Sequence, residues 1–490
     1  MGNRSELTAG VFLRKLIGFS MASWFGSGIS FLATPILTRL YLPEELGTVN
    51  MFVTYMTFFQ TVCVMALDQA FMRFYNENLE GLKKTNILTY CLYFNFGMAV
   101  LSSAVILIGH SHFSMQISGN SDFFVSVCLI VVVFSSSFLR MSSVSSRMEK
   151  NVVQYTLQVV LISVVEKVLF IVAVFVYGAN YRSAIFTMTI GYLVLAIAFF
   201  LLKRKKALAP VTCVPIGTTK IVLGFAIPYL PVLILSWLNS SIPLLVLNYY
   251  VDKASIGIYT NAVTISNILS IIQTGFTTYW GPFVYEHYKE EESQIKIQKI
   301  QRCAVLVLTM FALSIVLFQD IVYLLIGEKY RASKLFFPFL ILGPFCNCIG
   351  DMMGIGIMLS KKSYLNIFTF LGSVGTNLAL AYYLIPKVGV AGAGVAAGAA
   401  SLVMLFLRSA LGMRYYNPNK SVIFLVISVA SIVVACGINI LCSEQIGVRS
   451  GLLVALILLN FIYFHKELRY ILLVGRQALN TLFAKCFSKK

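Results

Sequence analysis

The chain has 490 residues, of which 58% are hydrophobic and 12% charged, with a mean hydropathy of +0.84 and a formal net charge of +19. Soluble domains carry about 25% charged residues, and a water-soluble molecule of this composition would expose very large apolar patches. The chain therefore reads as an integral membrane protein, with apolar runs long enough for helices rather than barrel strands. Its basic excess fits the cytoplasmic loops of a polytopic protein and not a nucleic-acid-binding surface.

Fourteen apolar segments able to cross about 30 Å of hydrocarbon are predicted at 12–38, 46–72, 86–109, 122–142, 151–177, 182–202, 220–248, 255–284, 302–326, 334–359, 364–385, 389–413, 421–442 and 449–465. The first runs on too long for a signal peptide and lacks a small-residue cleavage site, so a retained helix is expected. It carries Ser20, Ser23, Ser27, Ser30 and Thr34 near one face. Such small residues either let a neighbouring helix approach closely or line a cavity. A tight outer turn follows at Leu42-Pro43-Glu44-Glu45. The second helix is expected to be one long rod bearing Asn50, Thr54, Thr57 and Thr61, and ending in Asp68, Gln69, Arg73 and Tyr75. Asp68 could pair with Arg73, although a spacing of five residues is awkward on a straight helix.

His110 and His112 are expected in a short loop. Helix 5 carries Glu166 and Lys167 in the middle of an apolar run. A charge at that depth costs about 3 kcal/mol or more, so it faces a cavity or a partner. Being adjacent, the two point about 100° apart and cannot share one partner; an ion pair to another helix and a transport role both remain open. Lys203-Arg204-Lys205-Lys206 reads as part of a cytoplasmic linker, 203–219. Helices 7 and 8 bear Asn239, Asn248, Asn261, Asn267 and Gln273. Asp351 is a further carboxylate near membrane depth. After Lys466 the tail alternates basic and apolar residues, as in an interfacial amphipathic helix. The ten Cys are mostly single and inside apolar runs, with no metal-ligand spacing, and read as packing residues.

Charge sorting supports this count. With the N-terminus cytoplasmic and strict alternation, inner segments hold 29 of the 38 Lys and Arg, outer segments hold eight, and Lys167 lies within a helix. Both termini are then cytoplasmic. The sequence also repeats. Gly47 falls on Gly257 and Tyr75 on Tyr285 at an offset of 210, and Gly178 falls on Gly389 at 211. Helices 1–6 and 7–12 are thus two copies facing the same way, related by an axis along the membrane normal. The expected fold class is all-α and polytopic, with 14 transmembrane helices. It divides into an N-lobe (1–202), the linker, a C-lobe (220–415), helices 13 and 14 (416–466) and a basic cytoplasmic tail (467–490).

Thr38-Arg39-Leu40-Tyr41-Leu42-Pro43-Glu44-Glu45-Leu46-Gly47, Leu67-Asp68-Gln69-Ala70-Phe71-Met72-Arg73-Phe74-Tyr75 and Tyr279-Trp280-Gly281-Pro282-Phe283 resemble family positions of the Wzx-type polysaccharide flippases, of the multidrug/oligosaccharidyl-lipid/polysaccharide exporter superfamily. So do Gly327-Glu328-Lys329-Tyr330 and Ile385-Pro386-Lys387-Val388-Gly389-Val390-Ala391-Gly392-Ala393. The resemblance spans helices 1–12. It implies two six-helix lobes forming a V around a cavity, alternating access, and a bacterial inner-membrane location. It also implies a cargo of undecaprenyl-pyrophosphate-linked oligosaccharide for O-antigen, capsule or exopolysaccharide. A polysaccharide polymerase and a chain-length regulator are candidate partners; no nucleic acid is.

A pyrophosphate needs fixed cations, and Arg suits it because it donates two parallel hydrogen bonds and stays charged. The cavity candidates are Arg39, Asp68, Arg73, Arg140, Glu166, Lys167, Asn239, Asn248, Asn261 and Gln273. Arg39 could equally anchor an outer helix end, and Arg73, Arg140 and Arg408 could snorkel from inner helix ends. Glu166, Asp68 and Asp351 are candidates for coupling to H+ or Na+; no cofactor and no metal are expected. A cation-coupled multidrug antiporter of the same fold and a lipid II flippase are the alternatives. Helix 1 (12–38) has no Asp or Glu for such an antiporter. An enzyme is disfavoured, because the outer loops are short and pair no nucleophile with a base.

Overall fold

The computed structural model describes the backbone of residues 9–473 apart from 78, 212–213, 289–290, 361, 363 and 420. It is all-helical, with no strand among these residues. Among the described residues, ten helices are long and apolar enough to cross a membrane. Three bent pairs raise the number to 13, and α1 (Ala9–Leu40) stands at the first predicted segment. The protein is a multi-pass membrane protein.

The remaining membrane helices keep the predicted order. α2 is split into α2a (Pro43–Val64) and α2b (Leu67–Phe74), followed by α3 (Ile87–Ile108), α4 (Phe123–Met148), α5 (Val152–Tyr177), α6 (Tyr181–Ala207) and α7 (Ile216–Tyr250). α8 is split into α8a (Lys253–Ser266) and α8b (Leu269–His287). Then come α9 (Glu291–Leu317), α10 (Phe337–Met353), α11 (Leu365–Val388), α12 (Val390–Tyr415), α13 (Ile423–Leu441) and α14 (Ile446–Tyr463).

Several elements differ from the sequence expectation. The second helix is not one rod. Met65 (φ 48°) and Ala66 (φ 56°) are left-handed, and the chain bends by 45° there. Neither is glycine, so the turn is strained, and the α2b end is re-aimed. Helix 5 is interrupted by a π turn, Val164–Val168, at Glu166 and Lys167. His110 and His112 lie on a short helix, His110–Ser118, rather than in a loop. A short helix, Gln319–Leu325, and a 3-10 turn, Glu328–Leu335, stand between α9 and α10. α6 runs on through Lys203–Lys206, into the stretch expected as a linker, and Lys203 is buried there, donating to the Ser142 carbonyl at 2.9 Å. The tail is helical over 465–473; the rest of the expected amphipathic helix, 474–490, lies outside the described residues.

Two clusters of buried side chains lie each within one half, and two others, through Met51 and through Val222 and Ala226, join the halves. One cluster joins α1, α2a, α4, α5 and α6 around Phe52, Leu129 and Met188. Another joins α8 to α10 with α13 and α14 around Trp280, Phe345 and Ile432. α13 and α14 are held to the second half by polar groups as well. Arg449, only 2% exposed, pairs with Asp320, which also binds Lys334.

Candidate functional site

The two halves meet at the end of the bundle where α1 ends and α2a begins, called here the apex. α2a starts with Pro43 at its first turn and Glu44 and Glu45 beside it. Pro is pre-set for that position and carboxylates favour the helix N-terminus. α8a starts with Asp252 as its N-cap, its carboxylate accepting from the Ser255 N–H at 2.7 Å. The two helices cross so closely that a Cβ on Gly47 would overlap the Lys253 carbonyl, and one on Gly257 would overlap that of Pro43. Asn50 Nδ2 then donates to Thr260 Oγ1 at 2.9 Å. Gly327 N–H donates to Thr38 Oγ1 at 3.1 Å and Tyr330 Oη to the Tyr41 carbonyl at 3.1 Å, so the apex is closed.

Below the apex a cavity of about 240 Å³ lies between α2 and α7. It is lined by Gln60, Thr61, Asp68, Arg140, Ser236 and Trp237 among others. Asp68, 2% exposed, accepts from Arg140 Nη2 at 2.9 Å and Nε at 3.2 Å. Arg140 keeps a side chain 54% exposed. The carboxylate thus fixes a guanidinium whose other donors face open space. On the facing half, Asp351 accepts from Arg408 at 2.7 Å and from Gln273 Nε2 at 3.4 Å. Gly350 and Gly354 give the Arg408 side chain its room, and Arg408 Nε is buried without a partner among the described residues. Tyr229 of α7 lies within electrostatic reach of both Asp68 and Arg408.

A second cavity, about 390 Å³, opens among α2a, α7, α8, α10, α11 and α12. Its polar lining includes Asn50, Thr54, Asn239, Asn267, Asn347 and Asn377. Asn239 Oδ1 accepts from Ser373 Oγ at 2.9 Å, and its carbonyl from Asn377 Nδ2 at 2.7 Å. Carboxamides and hydroxyls at this density suit hydroxyl-rich ligands.

Glu166 and Lys167 diverge from the π turn, as adjacent helical residues must. Glu166 accepts from Tyr192 Oη of α6 at 2.5 Å. Lys167 faces the other way, into a pocket of about 40 Å³ beneath the apex.

The other sequence candidates fall elsewhere. Arg39 is exposed at the end of α1. Arg73 pairs with Glu77 and lies over the Phe74 ring, leaving Asp68 to Arg140 and not to Arg73. Asn248 donates to Gln116 Oε1 at 2.9 Å, tying α7 to the short helix after α3. Asn261 joins Lys167 in the apex pocket. One cavity residue, Trp237, went unread in the sequence. Trp237 Nε1 donates to Thr57 Oγ1 at 3.2 Å, and its ring packs on Phe58. Its place in Ser-Trp-Leu-Asn-Ser-Ser was the available signal.

Residues 12–286 match the family model described as polysaccharide biosynthesis protein. No curated protein matches the chain. The fold is similar to that of the lipid II flippase MurJ in an inward closed conformation, with a TM-score of 0.69 and 13% identity, covering 92% of this chain and 99% of that one. It is also similar to an inward-facing multidrug resistance MATE family transporter of the MOP superfamily, with a TM-score of 0.60 and 16% identity over 81% of this chain and 96% of that one. The MATE multidrug transporter DinF-BH gives a TM-score of 0.60 at 12% identity, over 85% of this chain and 99% of that one. At such identities the likeness is one of fold.

Proposed function

Because the chain belongs to the polysaccharide biosynthesis protein family and has a fold shared with MOP-superfamily transporters, we propose that it flips undecaprenyl-pyrophosphate-linked oligosaccharide repeat units. The direction is from the inner to the outer leaflet of the bacterial cytoplasmic membrane, for O-antigen, capsule or exopolysaccharide. Both termini are cytoplasmic in this reading, so the closed apex faces outward and the cavities load from the inner leaflet.

The observation that carries the reading is the Asp68–Arg140 pair, in which a buried carboxylate holds a half-exposed guanidinium at the wall of the cavity between the halves. A fixed guanidinium binds phosphate oxygens bidentately. In the other half Arg408 is held by Asp351 at 2.7 Å. The Asn- and Thr-lined cavity takes the glycan. An anion moves outward with the inside-negative potential, gaining about 2.3 kcal/mol per charge per 100 mV. A coupling ion, H+ or Na+, would act at Asp68, Asp351 or Glu166. No chemical step on the cargo is assigned to any residue.

The test is the fate of lipid-linked intermediates in a deletion strain. Undecaprenyl-linked repeat units held on the inner leaflet, with loss of surface polysaccharide, support the reading. Normal polysaccharide with raised sensitivity to cationic drugs would overturn it in favour of an antiporter, and arrest of lipid II turnover in favour of a lipid II flippase.

A further inference from the structure

The pocket of about 40 Å³ beneath the apex has walls from both halves. Thr34, Asn50 and Lys167 come from the first, and Thr260, Asn261 and Thr264 from the second. It has room for one halide-sized ion or a very few waters.

Its donors and acceptors are unequal. Lys167 forms no ion pair with a described residue. The adjacent carboxylate, Glu166, is turned away to Tyr192. Glu45, nearer the apex, accepts from the Tyr181 N–H, and Arg39 is exposed. Asn261 is 6% exposed, and neither its Nδ2 nor its Oδ1 has a partner among the described residues. Leaving a buried carboxamide unsatisfied costs about 1–3 kcal/mol. The hydroxyls have already spent their protons on helix carbonyls: Thr34 on Ser30, Thr260 on Ile256 and Thr264 on Thr260. The unspent donors are therefore the ammonium of Lys167 and the amide of Asn261, one on each side. A metal cation would face an uncompensated ammonium, whereas an anion would answer both groups.

We propose that this pocket binds a single monovalent anion, of chloride size, between Lys167 of one half and Asn261 of the other. The site is whole only while α2a and α8a are closed on each other. Bound anion therefore favours the closed apex, as any ligand favours the state that holds its site. The inference is independent of the cargo.

Purified full-length protein in detergent would be melted in sodium chloride, sodium bromide and sodium gluconate at equal ionic strength. A saturable rise in melting temperature with chloride and bromide, absent with the larger gluconate, is expected. Lys167→Met should abolish the rise, and Asn261→Leu should weaken half-saturation at least about tenfold, the loss of one charge-assisted hydrogen bond. Asn261→Asp supplies an internal carboxylate to Lys167, so that variant should be indifferent to chloride, and it keeps the question open to test even if Lys167→Met does not fold. Equal melting in all three salts, as a water-filled pocket would give, overturns the proposal. So does a chloride response that survives in Asn261→Asp.

Discussion

Asn50 donates to Thr260 at 2.9 Å, and the two residues are 210 positions apart. That separation is also the offset of the internal repeat, so equivalent positions of the two halves touch. Gly47 and Gly257 obey the same relation one turn nearer the apex. The pseudo-two-fold axis therefore passes between α2a and α8a, and the apex is closed by one sequence position meeting its own copy. Closure needs two backbones at glycine distance.

Alanine at Gly47 or Gly257 should hold the apex apart. The added Cβ meets backbone carbonyls that no rotamer change can move, and overpacking of this kind costs about 1–3 kcal/mol. Cysteines placed near Thr264 should become reactive to an external thiol reagent, and repeat-unit export should fall. Gly28→Ala, where the new Cβ meets nothing within 4 Å, is the control and should behave as wild type.

Asp68 and Arg140 should act as one unit. Asp68→Asn frees the guanidinium from its fixed position, and Arg140→Gln removes the cation itself. Either change should reduce surface polysaccharide strongly. The double variant should be little worse than the singles, with a coupling energy of about 1–3 kcal/mol in a double-mutant cycle on export rate. Additive effects would show that the pair does not work together.

Tyr192→Phe should destabilise more than Glu166→Gln. The first leaves a half-buried carboxylate without the Oη donor it holds at 2.5 Å, at a cost of about 1–3 kcal/mol. The second removes a charge while keeping an acceptor. Melting temperatures in one detergent decide between this order and its reverse.

The clamp on α13 and α14 should weaken in acid. Burial works to raise the Asp320 carboxyl, but hydrogen bonds and charge from Lys334 and Arg449 outweigh it, and the net direction is down from 3.8. A carboxyl lowered in the folded state adds stability above its unfolded value, and that stability is lost as pH falls through the lower, folded value. The melting temperature should therefore hold at neutral pH and drop below about pH 4. Asp320→Asn should remove this part of the acid dependence. It should also cost about 3–5 kcal/mol at pH 7, because Arg449 is left buried and unpaired.

The sequence by itself determined the membrane class and the order of the helices. Those follow from a quantity local in the chain, apolar length against bilayer thickness. It also isolated Glu166 and Lys167, because a charge at mid-membrane is costly wherever the helix turns. Only the tertiary structure decided which groups meet. Asp68 takes Arg140 of α4 and not Arg73, because the left-handed Met65 and Ala66 re-aim α2b toward α4. Glu166 takes Tyr192 while Lys167 enters the apex pocket, because a π turn and the packing of α5 on α6 set their directions. Partnering across helices depends on axial rotation and on breaks in the rods. Those are fixed by packing between segments far apart in the chain, and no single helical pattern encodes them.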